Sequence, residues 1–181
     1  KQVGNRAGEA ETLNHIGSVY IALGDMPKAR SYFEQALPFF KQVGDRAREA
    51  RTLNNIGTVE SGLGDIPKAR SYFEQALPLI KQTEERALEG LILDNFATVL
   101  GKLGQPLQSI VRYQEASRCY LASRSPDSPK AVGSLGRAFG MALRSKLWPQ
   151  ASKLLSEIEA LKISVLMLAQ WRAQFAGYSG A

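Results

Sequence analysis

The chain has 181 residues, 44% of them hydrophobic, with a net charge of +6, one histidine and one cysteine. This is room for one core or a short array of repeats, and it excludes an internal disulfide. The composition also leaves no basis for a histidine- or cysteine-rich metal site, and no apolar run approaches the roughly 18 residues that span a bilayer.

In chain order, residues 1–8 begin without methionine and read as the end of a preceding repeat, because "KQVGNRA" aligns with Lys41 to Ala47. The sequence is therefore expected to be a piece of a longer protein. Residues 9–120 hold three units in one 40-residue frame. Lys1–Phe40 and Lys41–Ile80 agree at 29 of 40 positions without a gap. Lys81–Tyr120 keeps the frame but drifts.

Each unit reads as two helices. In the second unit Leu53, Ile56, Val59 and Leu63 recur at spacings of three and four, the period of one helix face. Gly64 can take the left-handed conformation that ends a helix. Asp65 can cap the next helix, and Pro67 falls in its first turn, where a missing N–H costs nothing. Ala69, Tyr72, Phe73, Ala76 and Leu77 form the second apolar face. Pro38 and Pro78 fall inside this pattern. The apolar spacing continues through Phe39, Phe40 and Val43, so a kinked helix reaching about Val43 is expected rather than a stop at Leu37. A helix pair of this kind cannot bury its apolar face alone, and stacking on its neighbours closes a continuous core.

The pattern Leu13, Ile16, Gly17, Tyr20 followed by Ala29, Phe33 and Ala36 resembles the tetratricopeptide repeat. The second unit matches through Leu53, Ile56, Gly57, Ala69, Phe73 and Ala76. The third keeps Leu93, Phe96, Tyr113 and Ala116, with Ala97 for the glycine and Ser109 for the first alanine of the second helix. Residues 121–161 follow an irregular "SRSPDSP" and hold a degenerate fourth unit through Phe139, Gly140, Leu143, Ala151 and Leu155, with a loop one residue shorter. The 40-residue period, against the usual 34, resembles the long-repeat subclass of kinesin light chains, spindle-orientation adaptors and bacterial arrays joined to caspase-like CHAT domains. The resemblance implies an all-α, right-handed α-solenoid of antiparallel helix pairs, without enzymatic activity or cofactor. It also implies a concave groove, lined by the first helix of each pair, that binds a protein or peptide.

The first two units differ at 11 positions, and six of these fall in the first helix: 11/51, 15/55, 18/58, 20/60, 21/61 and 22/62. The second helix, Pro27 to Pro38, is identical to Pro67 to Pro78. The family's groove positions map onto Glu11, Asn14, His15, Ser18, Ile21 and Ala22 in the first unit. In the second they map onto Arg51, Asn54, Asn55, Thr58, Ser61 and Gly62, and in the third onto Leu91, Asp94, Asn95, Thr98, Gly101 and Lys102. Five of the six differences sit at these positions, and Tyr20/Glu60 is the exception. The copies are alike where they must stack and unlike where they can meet a partner. Drift of any exposed face is the competing explanation.

Asparagine amides both donate and accept, so Asn14, Asn54, Asn55 and Asn95 suit the backbone of an extended peptide. They equally suit a bond to water or to a neighbouring helix. Arg51 and Lys102 add positive charge, while Ser61, Gly62 and Gly101 leave room. The family's carboxylate clamp needs lysine where this chain has Asn14, Asn54 and Asp94. The expected ligand is therefore an internal extended segment, acidic or neutral in charge.

His15 has no catalytic context and Cys119 reads as a small packing residue. Gly136 and Gly140, four apart, are placed to let another helix approach closely. The charge excess lies in the last third: residues 1–117 carry 14 basic and 14 acidic residues, and 118–181 carry 9 and 3. Without a dense basic run or interleaved aromatics, a solvated helix surface is the simpler reading and nucleic-acid binding the weaker one. Residues 162–181 have helical apolar spacing on more than one side. They are open to three readings: a cap, an interface with a second copy, or a remnant of a further domain. Self-association through the array ends or this C-terminal helix is expected. No membrane span is expected, and the lone cysteine fits a reducing, cytoplasmic compartment.

Overall fold

The computed structural model describes residues 2–123, 128–161, 171–174, 176 and 177. Among them eight helices succeed one another: α1 (Gln2–Ala22), α2 (Met26–Val43), α3 (Arg46–Leu63), α4 (Ile66–Ile80), α5 (Arg86–Lys102), α6 (Pro106–Leu121), α7 (Ser128–Arg144) and α8 (Trp148–Ala160). No strand occurs among the described residues. Each helix packs on its chain neighbours, giving the pairs α1/α2, α3/α4, α5/α6 and α7/α8. The first helices of successive pairs, the A helices, also touch: α1 meets α3, and α3 meets α5. The molecule is an α-solenoid of stacked helix pairs.

The punctuation expected from sequence is in place. Gly64 ends α3 with φ 88°. Asp25, Asp45 and Asp65 each accept a hydrogen bond from the backbone N–H three residues on, at 3.1, 2.9 and 3.1 Å, satisfying a donor the helix start leaves open. Pro38 and Pro78 lie within α2 and α4. α2 continues to Val43, as its apolar spacing implies, whereas α4 stops at Ile80.

In the first two pairs the A and B helices are joined by a lock between glycine and phenylalanine. A Cβ on Gly17 would lie 2.7 Å from the Phe33 ring, and one on Gly57 would lie 3.0 Å from Phe73. The missing Cβ is what lets the fully buried ring of the B helix lie on the A helix. The third pair uses a different lock. Ala97 replaces the glycine, and Ser109 Oγ donates 2.7 Å to the Ala97 carbonyl, while Tyr113 takes the place of phenylalanine with its hydroxyl 2.9 Å from Thr98 Oγ1.

Between pairs, Ala29 and Phe33 of α2 share a buried cluster with Ile56 and Val59 of α3. α4 and α5 join through Ala69, Phe73, Ile92, Leu93 and Val99. Glu60 is 1% exposed. It lies 2.6 Å from Lys68 on α4 and 3.6 Å from Arg30 on α2, so one carboxylate ties three helices. In the first pair Tyr20 holds the equivalent place, stacked 5.3 Å from Tyr32. The one helix-A difference outside the inferred groove is thus a change of packing device.

The pair α7/α8 falls in the stretch read as a degenerate fourth unit. Here Lys146, at φ 56°, occupies the left-handed turn that Gly24, Gly64 and Gly104 occupy in the other pairs. Residues 162–170 and 178–181 of the C-terminal segment lie outside the described residues. Trp171 is described, and it seats on α7: its ring is 2.9 Å from where a Cβ of Gly136 would be and 6.1 Å from the Phe139 centroid. Gly136 does admit a close neighbour. Gly140 instead faces the side chain of Arg144 on its own helix.

Candidate functional site

The A helices bring most of the inferred positions of the first two units to one groove of about 780 Å³. Glu11, Asn14, His15, Ser18 and Ala22 line it from α1, and Arg51 and Asn55 line it from α3. Val19, Phe40, Asp45, Ala47, Arg48 and Glu85 complete its walls. Sequence reasoning placed none of these six in the groove. Asp45 caps α3 and Arg48 lies in its first turn, and their reach into the groove depends on how α3 docks on α1.

The side chains inferred to contact a ligand divide into two sets. Asn14, Asn54 and Asp94 occupy the same place in successive A helices, and each bonds to the next A helix along. Asn14 Nδ2 donates to Thr52 Oγ1 at 2.8 Å. Asn54 Oδ1 accepts from Asn95 Nδ2 at 3.0 Å. Asp94 accepts from Ser134 Oγ at 2.7 Å and pairs with Arg137 at 2.6 Å. Asn14 is 8% exposed and Asn54 2%. This ladder fixes the spacing of the A helices, and it uses amide groups that a ligand would otherwise meet. Within this ladder Asn14 Oδ1 is buried without a hydrogen-bond partner among the described residues. Thr52, Ser134 and Arg137 were not singled out from sequence, because their role appears only once the helices are side by side.

The second set is accessible. His15, Ser18, Arg51, Thr58, Thr98 and Lys102 are exposed, and Asn55 and Asn95 are half-buried. Ser18, Thr58 and Thr98 each turn their hydroxyl back to the carbonyl four residues earlier, at 3.0, 2.9 and 3.2 Å. Thr98 Oγ1 also meets the Tyr113 hydroxyl at 2.9 Å. Lys102 Nζ donates 2.9 Å to Ser61 Oγ across the α3–α5 step.

The charges are unevenly satisfied. Arg48 is held by Asp45 at 2.6 Å and by Glu11 at 3.5 Å. Arg137 is held by Asp94. Arg51 makes no ion pair among the described residues, and Lys102 meets a neutral hydroxyl. These two are the cations of the strip left for an anionic group. Gly101 does not leave the room its sequence suggests. Met141 Cε lies 2.5 Å from where its Cβ would be, so a side chain of α7 already fills that space.

Burial, reinforced by the carboxylate of Glu89, pushes the Cys119 thiol up to about 11, which keeps it protonated and unreactive at neutral pH. No group of three or more His, Cys, Asp or Glu suited to a metal ion occurs among the described residues. No described helix is long and apolar enough to cross a membrane.

Comparison with known proteins agrees with this architecture. Residues 8–82 match the tetratricopeptide repeat family model. A search of curated proteins gives no match. Among solved structures, BtubC (BKLC) from P. vanneervenii superposes with a TM-score of 0.74 at 15% identity, covering 99% of this chain and 83% of its own. A Podosopora anserina protein titled as a kinesin light chain with nearly identical TPR-like repeats gives 0.77 at 13% identity, covering 96% of this chain and 88% of its own. Aspartyl phosphate phosphatase F from Bacillus subtilis gives 0.73 at 17% identity, covering 96% of this chain and 46% of its own. The chain carries tetratricopeptide repeats over residues 8–82 and has the helix-pair solenoid fold of that family along its described length.

Proposed function

We propose that this chain is a non-catalytic scaffold that binds an extended protein segment along the A helices, with acidic side chains of the ligand meeting Arg51 and Lys102. One observation carries the reading. Units whose B helices are identical from Pro27 to Pro38 and from Pro67 to Pro78 differ at 11/51, 15/55, 18/58, 21/61 and 22/62, which form the exposed and half-buried strip beside the groove. His15, Ser18, Arg51, Asn55, Thr58, Asn95, Thr98 and Lys102 are the proposed contacts. Asn14, Asn54 and Asp94 act by holding the helices that present them. A cytoplasmic signalling or adaptor role belongs to this proposal. The same groove would serve if the array regulates a larger protein, such as a caspase-like CHAT protein.

The test is binding to an array of immobilised peptides of graded acidity, with the triple variant Arg51→Ala/Asn55→Ala/Lys102→Ala beside the wild type. We expect the variant to keep its helical circular dichroism and to lose the acidic peptides. Equal binding by both proteins would remove the groove from consideration. Retention of nucleic acid at low salt, lost steeply as salt rises, would instead favour the basic last third.

A further inference from the structure

We propose that the cleft where α4, α5 and α6 meet docks an acidic segment of a partner protein, with a carboxylate of that segment standing where Glu60 stands one unit earlier. The cleft has a volume of about 380 Å³, and none of the residues lining it lines the A-helix groove. Arg70, Leu77 and Lys81 line it from the second unit, and Phe96, Leu100, Gln108 and Arg112 from the third.

The preceding joint of the array is an internal control. Its B-helix side is the same, because Arg30, Leu37 and Lys41 match Arg70, Leu77 and Lys81. The facing side differs throughout: Ile56, Glu60, Lys68 and Tyr72 stand where Phe96, Leu100, Gln108 and Arg112 stand. At that first joint the buried Glu60 carboxylate meets Lys68 at 2.6 Å and Arg30 at 3.6 Å. At the second joint Leu100 holds the place of the carboxylate, and Arg112 adds a cation in the place of Tyr72. Arg70 pairs with Glu74 on its own helix at 2.7 Å, whereas Arg30 stands 3.9 Å from the matching Glu34. Arg112 also leans along its own helix, 2.7 Å from Glu115, with its guanidinium 5.8 Å from the centre of the Phe96 ring. Lys81 makes no ion pair among the described residues. The second joint thus keeps the cationic side of the first and lacks its cross-helix anion.

The surroundings narrow what brings that anion. The floor of the cleft is apolar, formed by buried Leu77, Phe96 and Leu100. Gln108 and Arg112 also line a second depression on α6, together with Leu107 and Val111. Leu107 and Val111 are 52% and 49% exposed, where the first two units have proline and serine. An aliphatic ridge therefore borders the cations. A carboxylate can take charge-assisted bonds from arginine at the cleft while a neighbouring apolar side chain covers the ridge. A phosphate polyanion fits less well, because Glu74 and Glu115 stand among the cations and nothing apolar in it would cover the ridge.

A proton–nitrogen NMR titration of the full chain tests this. The probe is an end-blocked peptide of alternating glutamate and leucine pairs, and its counterpart has glutamine for every glutamate. We expect the glutamate peptide to shift amides of residues 70–81 and 107–112 and to bind there about tenfold more tightly than the glutamine peptide. Leu100→Glu/Gln108→Lys rebuilds the ion pair of the first joint inside the cleft and is expected to abolish these shifts. If that variant does not fold, Arg70→Glu/Arg112→Glu, at partly exposed side chains, is expected to abolish them. Shifts confined to the A-helix strip leave the groove reading standing and overturn this one. Equal affinity for the two peptides, cleft shifts that persist in the folded variant, or the same cleft shifts at equal affinity with a short DNA duplex also overturn it.

Discussion

Gly17 and Gly57 occupy the same place in two nearly identical pairs, yet their rings approach differently. Alanine gains about 1 kcal/mol over glycine within a helix, and overpacking a core costs about 1–3 kcal/mol. At Gly17 a Cβ would meet three Phe33 ring atoms at 2.7–2.9 Å, whereas at Gly57 the contacts are 3.0–3.2 Å. Urea unfolding should therefore show Gly17→Ala losing about 1 kcal/mol or more and Gly57→Ala close to neutral. Lys146 offers a test of opposite sign. A left-handed residue with a Cβ costs about 1–2 kcal/mol, and glycine returns part of that as chain entropy. Lys146→Gly is expected to stabilise by about 0.5–1 kcal/mol in the same assay. The contrast between Asn54 and Asn55 shows where sequence reading stops. Both are asparagine, adjacent, and mapped to the groove, yet one is buried in the ladder and the other remains half-exposed. The pattern identifies the helix face, but the distance to the next A helix decides which amide is reached. Gly101 fails as a gap for the same reason, since Met141 comes from the unit that departs most from the repeat.

Among elements, α3 carries the most diverse contacts, and Glu60 is its one buried carboxylate with partners on both flanking B helices. Lys68 and Arg30 remain 40% and 38% exposed, so both can turn to water if the carboxylate is removed. A buried ion pair is often replaced by an apolar side chain with little loss, and α5 already has Leu100 at this position. Glu60→Leu should change stability by less than about 1 kcal/mol, whereas Glu60→Ala should cost about 2 kcal/mol through the cavity it leaves. Thermal melts of the two variants side by side check this. Helix limits and caps were largely legible from the residues. Aspartate, proline and glycine act within a few residues of their own position, so Asp65, Pro67 and Gly64 could be placed without knowing the fold. The early end of α4 was not legible, because Pro78 and its copy Pro38 close identical stretches and the helices diverge only at the residues beyond them.

For the whole molecule, stacked pairs divide stability into contributions from each pair and from each interface. Among the described residues a B helix packs on one side of α1 and on both sides of α3. Hydrogen exchange should find α1 amides opening well before those of α3, with residues 46–63 among the slowest. Equal protection of the two helices would contradict a stack held by nearest neighbours. The solenoid was legible from sequence because a repeated unit with helical spacing has few ways to bury its faces. The ladder of Asn14, Asn54 and Asp94 was not, because it joins residues some 40 positions apart. That 40-residue frame has one more effect. α2 and α4 are identical from Pro27 to Pro38 and Pro67 to Pro78, so α5 would meet nearly the same surface on either. A gene that lost the stretch encoding residues 41–80 would join Phe40 to Lys81 with the docking face for α5 still in place. Duplication of the stretch would add a pair in the same way. Recombination between the two copies can thus shorten or lengthen the array in whole units, changing the reach of its binding strip while leaving each remaining joint intact.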